Sequence, residues 1–122
     1  MYSIKIEATF SAAHNLRGYK GKCEALHGHN WKIEAVVKQA SLDKTGMVMD
    51  FRRLKKELKR VIERLDHRYL NRLKPFDRIN PTSENLSRFI YEELKKKVSP
   101  LYSVTVWESE RANASYMPDD DC

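Results

Sequence analysis

Apolar and polar residues alternate near both ends of the chain and fall at helical spacing through its middle. From Tyr2 to Phe10, Tyr2, Ile4, Ile6, Ala8 and Phe10 share one face while Ser3, Lys5, Glu7 and Thr9 share the other. This predicts a half-buried strand. Trp31, Ile33, Ala35 and Val37 alternate with Lys32, Glu34, Val36 and Lys38, a second strand that suits antiparallel pairing with the first. Asp43-Lys44-Thr45-Gly46 reads as a turn. Asp50 then reads as the N-cap of a helix whose apolar stripe is Phe51, Leu54, Leu58, Val61, Ile62 and Leu65. That helix is expected to end at Asp66-His67, ahead of a loop carrying Pro75 and Pro81. Thr82-Ser83-Glu84 offers a capping hydroxyl and a first-turn carboxylate to a second helix, with Leu86, Phe89, Ile90, Leu94 and Val98 facing inward. Tyr102, Val104 and Val106 predict a third strand running into Trp107-Glu108, and Ala112, Ala114 and Tyr116 a short fourth.

The order strand, strand, helix, helix, strand, strand predicts an α+β domain over residues 1–122, a four-stranded antiparallel sheet with two helices on one face. Such an open sheet leaves two unpaired edges that invite another chain, so an oligomer is expected.

Composition narrows the class. With 33% charged and 41% hydrophobic residues in 122, the chain is of ordinary globular make-up rather than disordered. No apolar run approaches the length of a membrane span, and the start lacks a secretory apolar core. Its two cysteines, Cys23 and Cys122, make no disulfide framework. These features place the protein in the cytoplasm. The net charge of +6 suits an anionic partner. Much of it, however, lies in Arg52, Arg53, Lys55, Lys56, Lys59 and Arg60 and in Lys95-Lys96-Lys97, read here as solvated helix faces. Arg17, Lys20 and Lys22 are better placed to meet a substrate anion.

The densest chemistry lies in Cys23-Glu24-Ala25-Leu26-His27-Gly28-His29-Asn30. On extended backbone, side chains two apart point the same way, so His27 and His29 can aim at one point. Two histidines on a strand are more often packed or solvated than metallated. His14, just past the first strand, adds a third imidazole. Three imidazoles with one open position form the catalytic type of zinc site. One tension is visible. His27 and His29 share the parity of Trp31 and Ile33, so they lie at the rim of the apolar face or Gly28 marks a bulge. Cys23 reads as a buried small side chain, as a reactive thiol beside a cation, or as a fourth zinc ligand that closes the site. Asp66-His67 reads either as a carboxylate orienting an acid/base imidazole or as surface residues at a helix end. Glu108 has the parity of Val104 and Val106, so its carboxylate needs a partner: a ligand with two adjacent N–H donors, or Arg111 at the turn.

Taken in order, Phe10-Ser11-Ala12-Ala13-His14, Cys23-x-x-x-His27-Gly28-His29-Asn30, Leu65-Asp66-His67, Pro81-Thr82-Ser83-Glu84-Asn85 and Glu108 resemble the motifs of the 6-pyruvoyl and 6-carboxytetrahydropterin synthase family. The resemblance spans nearly the whole chain. It implies the tunnelling fold, in which subunits join sheets into a barrel and two rings stack, commonly as a hexamer. It also implies zinc on His14, His27 and His29, with proton transfer by Cys23, Asp66 and His67. Glu108 would anchor the pterin beside Thr82 and Ser83. The implied substrate is 7,8-dihydroneopterin triphosphate. The short chain and the Cys23 to His29 motif look most like the 6-carboxytetrahydropterin synthases, lyases that release acetaldehyde and triphosphate on the path to queuosine. A 6-pyruvoyl product is the neighbouring reading, and Glu24 leaves an aldolase side activity open. The reading from another class is a non-catalytic, basic zinc-binding module contacting RNA, which needs exposed aromatics among the basic residues. Phe51 and Phe89 instead fall on apolar helix stripes, so neither nucleic acid nor membrane is an expected partner.

Overall fold

The computed structural model describes residues 1–19 and 25–119. Cys23, Glu24, Lys20, Lys22 and Cys122 therefore lie outside the described residues. Among those described, β1 (Tyr2–His14), β2 (His27–Gln39), α1 (Phe51–Glu63), a short 3-10 turn (Leu70–Arg72), α2 (Ser83–Lys95), β3 (Leu101–Trp107) and β4 (Asn113–Tyr116) follow in the expected order. The strands form an antiparallel sheet in the order β1-β2-β3-β4.

Local chemistry sets the helix starts as expected. The Asp50 side chain accepts the Arg52 N–H at the head of α1, and Thr82 accepts the Asn85 N–H at the head of α2. Leu54, Leu58, Val61 and Ile62 from α1 and Leu86, Ile90 and Leu94 from α2 are buried with Trp31, Ile33, Ala35 and Val37 of β2. Both helices thus cover the face that the odd residues of β2 present, and that face becomes the core.

The first two strands run further than the alternation alone suggested. β1 continues through Ala12 to His14 and β2 begins at His27, in unbroken register with Ala13 opposite Gly28 and His14 opposite His27. Gly28 therefore marks no bulge, and the three histidines occupy the rim of the apolar face. The register shift occurs elsewhere, opposite Val36 and Val37, where Tyr102 of β3 is passed over. This extra residue reverses the parity at the start of β3. Leu101, opposite Val37, turns inward, while Tyr102, expected inward, is 41% exposed with the Lys38 ammonium 3.6 Å above its ring. Tyr2 and Phe51 also depart from the predicted core, at 50% and 56% exposed. Both sit at the end of the sheet where the core runs out, lining a surface groove with Leu42 and Met47. Phe89 is half-buried against the core. Among the described residues, no helix is long and apolar enough to cross a membrane.

Candidate metal centre and cleft

The antiparallel register that pairs His14 with His27 also brings His29 onto the same face, because side chains two apart on a strand point alike. The three rings stand edge to face, with centroids 4.6, 5.1 and 4.7 Å apart. Trp31, fully buried, forms their floor, 4.9 Å from the His14 ring and 5.1 Å from that of His29. Its indole N–H donates to the Ala12 carbonyl at 3.3 Å, fixing the floor to β1.

Backbone carbonyls set the tautomers. His14 Nδ1 donates to the Pro81 carbonyl at 2.8 Å and His27 Nδ1 to that of Ala25 at 2.9 Å. A carbonyl can only accept, so each Nε2 keeps its lone pair. Those two Nε2 atoms lie 3.0 Å apart. Two lone pairs at that distance repel, and a cation between them turns the repulsion into bonding. His29 Nε2 is buried and, among the described residues, has no hydrogen-bond partner. Glu108 Oε1 approaches it to 3.0 Å, and His14 Nε2 to 3.5 Å, without hydrogen-bond alignment at His29. The four donor atoms all fall within 4.8 Å of one another. An orphaned nitrogen, two facing lone pairs and a carboxylate fit a divalent metal, and imidazole with carboxylate suits zinc. Burial pushes the His14 imidazole below the ordinary histidine range, with His27 and His29 acting the same way against the Pro81 carbonyl and Glu108. A neutral ring is the ligating form.

Beside His14 and Glu108 opens a cleft of about 420 Å³ that they line with Thr82, Ser83, Asn80 and Tyr19, among others. That is the size of a small-molecule site. Its walls are pinned by amides. Asn71 accepts from Asn15 N and donates to Asn15 O, and Asn80 does the same for Arg17. Arg17, expected to meet a substrate anion, instead donates to the Phe76 and Ile79 carbonyls at 2.6 and 2.8 Å. Those carbonyls lie on a distant loop, so its guanidinium serves as a loop brace.

Asp66 and His67 lie elsewhere. Winding of α1 stops as the Asp66 N–H bonds back to Ile62, and His67 takes a left-handed φ of 58°. The segment then runs along the outer edge of β1, with His67 N–H donating to Ser11 O and Ala13 N–H to Arg68 O. The Asp66 carboxylate accepts from Ser11 N at 2.9 Å and contacts His67 Nδ1 at 3.0 Å, while the His67 ring is 82% exposed. The pair is therefore formed but does not line the cleft.

The Ser11 N–H, then the His67 side chain, hold the Asp66 carboxyl below its usual range. A depressed folded pKa adds stability above the unfolded value, and this is lost as pH falls through the folded one. An amide oxygen still accepts from Ser11 but does not titrate. Urea midpoints of the parent and Asp66→Asn should therefore converge as pH drops from about 5 to about 2. Parallel curves would contradict this.

Sequence reasoning gave Glu108 a different role from the contact the structure places it in. The signal was its parity with Val106, and the missing fact was the register that pairs Lys32 with Trp107, after which Glu108 Oε1 comes 3.0 Å from His29 Nε2.

Residues 3–119 match the family model described as 6-pyruvoyl tetrahydropterin synthase. The chain is 38% identical over 122 aligned residues to the 6-carboxy-5,6,7,8-tetrahydropterin synthase of Synechocystis sp., covering 95% of this chain and 93% of that one. It is also 38% identical, over 108 residues, to the dihydroneopterin monophosphate aldolase of Pyrococcus furiosus, covering 86% and 88%. The solved 6-pyruvoyl tetrahydropterin synthase of Caenorhabditis elegans superposes with a TM-score of 0.85 at 28% identity, covering 97% of this chain and 96% of that chain. With the match running from β1 to beyond β4, the chain belongs to the 6-pyruvoyl tetrahydropterin synthase family.

Proposed function

We propose that the protein is a zinc-dependent 6-carboxy-5,6,7,8-tetrahydropterin synthase. It takes 7,8-dihydroneopterin triphosphate to 6-carboxytetrahydropterin, acetaldehyde and triphosphate, as a cytoplasmic lyase supplying queuosine synthesis. The observation that carries this is the convergence of His14, His27 and His29 Nε2 with Glu108, two of which, His14 and Glu108, line a cleft of small-molecule size. The relative in Synechocystis sp. bears the same activity in its name.

Zinc on the three histidines supplies a Lewis acid that acidifies the side-chain hydroxyls of the substrate. The remaining work falls to the chain's own groups. Thr82 and Ser83 line the pterin pocket, and Glu108 accepts the paired N–H donors of the amino-pyrimidine edge. Cys23, four residues before His27, moves a proton at the side chain beside the metal. Asp66 holds His67 by Nδ1 and leaves Nε2 facing outward to exchange a second proton. Because that pair does not line its own subunit's cleft, it acts on a neighbour in a homo-oligomer, a hexamer in the proposed assembly. The unpaired sheet edges supply the joining surfaces.

A second reading has one specific support: the Pyrococcus furiosus relative is named an aldolase at the same identity, and Glu24 adjoins Cys23. Incubating zinc-loaded protein with dihydroneopterin triphosphate and weighing the products separates the cases. Acetaldehyde with a 6-carboxy pterin is expected. Glycolaldehyde would identify aldolase cleavage through Glu24, and 6-pyruvoyl tetrahydropterin the rearrangement without carbon loss.

A further inference from the structure

We propose that Glu108 is a displaceable fourth ligand of the metal, closing the site while the cleft is empty and leaving it when a pterin enters. This rests on the reading above that the histidine cluster holds a divalent metal.

Three imidazoles leave one position of a tetrahedral site unfilled, and the structure brings one carboxylate, that of Glu108, to the cluster. With metal–ligand bonds of about 2.0–2.1 Å, the donors of a tetrahedral site lie about 3.3–3.4 Å from each other. Here His14 Nε2 and His27 Nε2 are 3.0 Å apart, and Glu108 Oε1 is 3.0 Å from His29 Nε2 and 3.5 Å from His14 Nε2. All four donors stay within 4.8 Å. The carboxylate oxygen therefore lies near ligand spacing from two of the three imidazoles, His29 and His14.

The same side chain is built to leave. Its backbone is held, since Glu108 N–H donates to the Ala112 carbonyl and the preceding Trp107 indole to Glu34 Oε1. The side chain itself is 38% exposed and forms part of the cleft wall with Thr82 and Ser83. Rotation about its own bonds moves the carboxylate from the histidines to the cleft without disturbing the hairpin. A pterin's adjacent N–H donors compete for that carboxylate, and the metal corner opens to the substrate only after the ring has docked. Glu108 thereby couples recognition of the ring to access to the metal, and a molecule without the amino-pyrimidine edge meets a closed site.

Cobalt(II) is the probe, because its visible spectrum reports the ligand set. Full-length protein is loaded with cobalt as the parent and as Glu108→Gln and Glu108→Ala, with circular dichroism confirming the fold. Both variants are expected to shift the spectrum and to weaken metal retention against a chelator by about ten- to a hundredfold. Adding 7,8-dihydropterin, which has no side-chain hydroxyls to ligate, should move the parent's spectrum toward that of Glu108→Ala. Variants with the parent's spectrum and retention, or a parent spectrum unmoved by the pterin, would overturn the proposal while leaving the three-histidine site intact. Failure of the parent to take up cobalt at all would instead remove the metal reading beneath it.

Discussion

His29→Ala is expected to abolish metal binding and to lower turnover by about 10²–10⁴-fold, the loss that follows from removing several kcal/mol of Lewis-acid stabilisation. Its Nε2 is the buried nitrogen without a hydrogen-bond partner and the atom that Glu108 approaches at 3.0 Å. Removing it leaves two imidazoles and a carboxylate whose nearest histidine contact is gone. The effect on stability should run the other way from an ordinary truncation. Without metal, the parent holds a buried polar atom, His29 Nε2, with no hydrogen-bond partner among the described residues, which is unfavourable. The metal-free variant sheds that atom and should unfold no earlier than the metal-free parent. Zinc at a hundred times its Kd should raise parent stability by about 2.7 kcal/mol. It should leave the variant unmoved. Metal content by mass spectrometry and thermal unfolding with and without zinc test both halves, and a variant that still carries stoichiometric zinc would refute the ligand set.

What the sequence disclosed and what it withheld divide along local and non-local lines. Alternation in Ile4 to Phe10 and in Trp31 to Val37 disclosed the first two strands, because pleat parity is local. Asp50 and the Thr82-Ser83-Glu84 run disclosed the helix starts for the same reason. The shared parity of His27, His29 and Trp31 looked like a conflict between chemistry and burial. It was instead the correct placement, with the histidines where the apolar face meets the cleft. Three features lay beyond reach. Passing over Tyr102 depends on how β3 meets β2 across the sheet. The approach of Glu108 to His29 depends on the same register. The carbonyls of Phe76 and Ile79 that take up Arg17 stand 59 and 62 residues away. Each depends on a pairing between distant segments, which the composition of either segment alone does not encode.

Cys23→Ala should retain zinc and lose turnover by about 10²–10⁴-fold, the range of a missing proton-transfer group. Three imidazoles and the Glu108 carboxylate already converge without the thiol. If zinc departs with the sulfur, Cys23 is a structural ligand and the catalytic reading fails. His67→Ala should be as slow with its metal intact, since its ring lies on the outer edge of β1 and not in the cleft. Mixing the two variants separates own-subunit from shared chemistry. If a cleft takes its thiol from one subunit and its imidazole from the next, random co-assembly completes a site when an intact-thiol chain adjoins an intact-imidazole chain. That happens at about a quarter of sites in a one-to-one mixture. The mixture should therefore recover up to about a quarter of parental activity from two nearly inactive proteins. No recovery, with mass spectrometry showing mixed oligomers, would mean that each subunit uses its own His67. The exposed dyad would then have to reach the cleft by a rearrangement of the segment that pairs with β1, breaking the bonds from His67 N–H to Ser11 and from Ala13 N–H to Arg68.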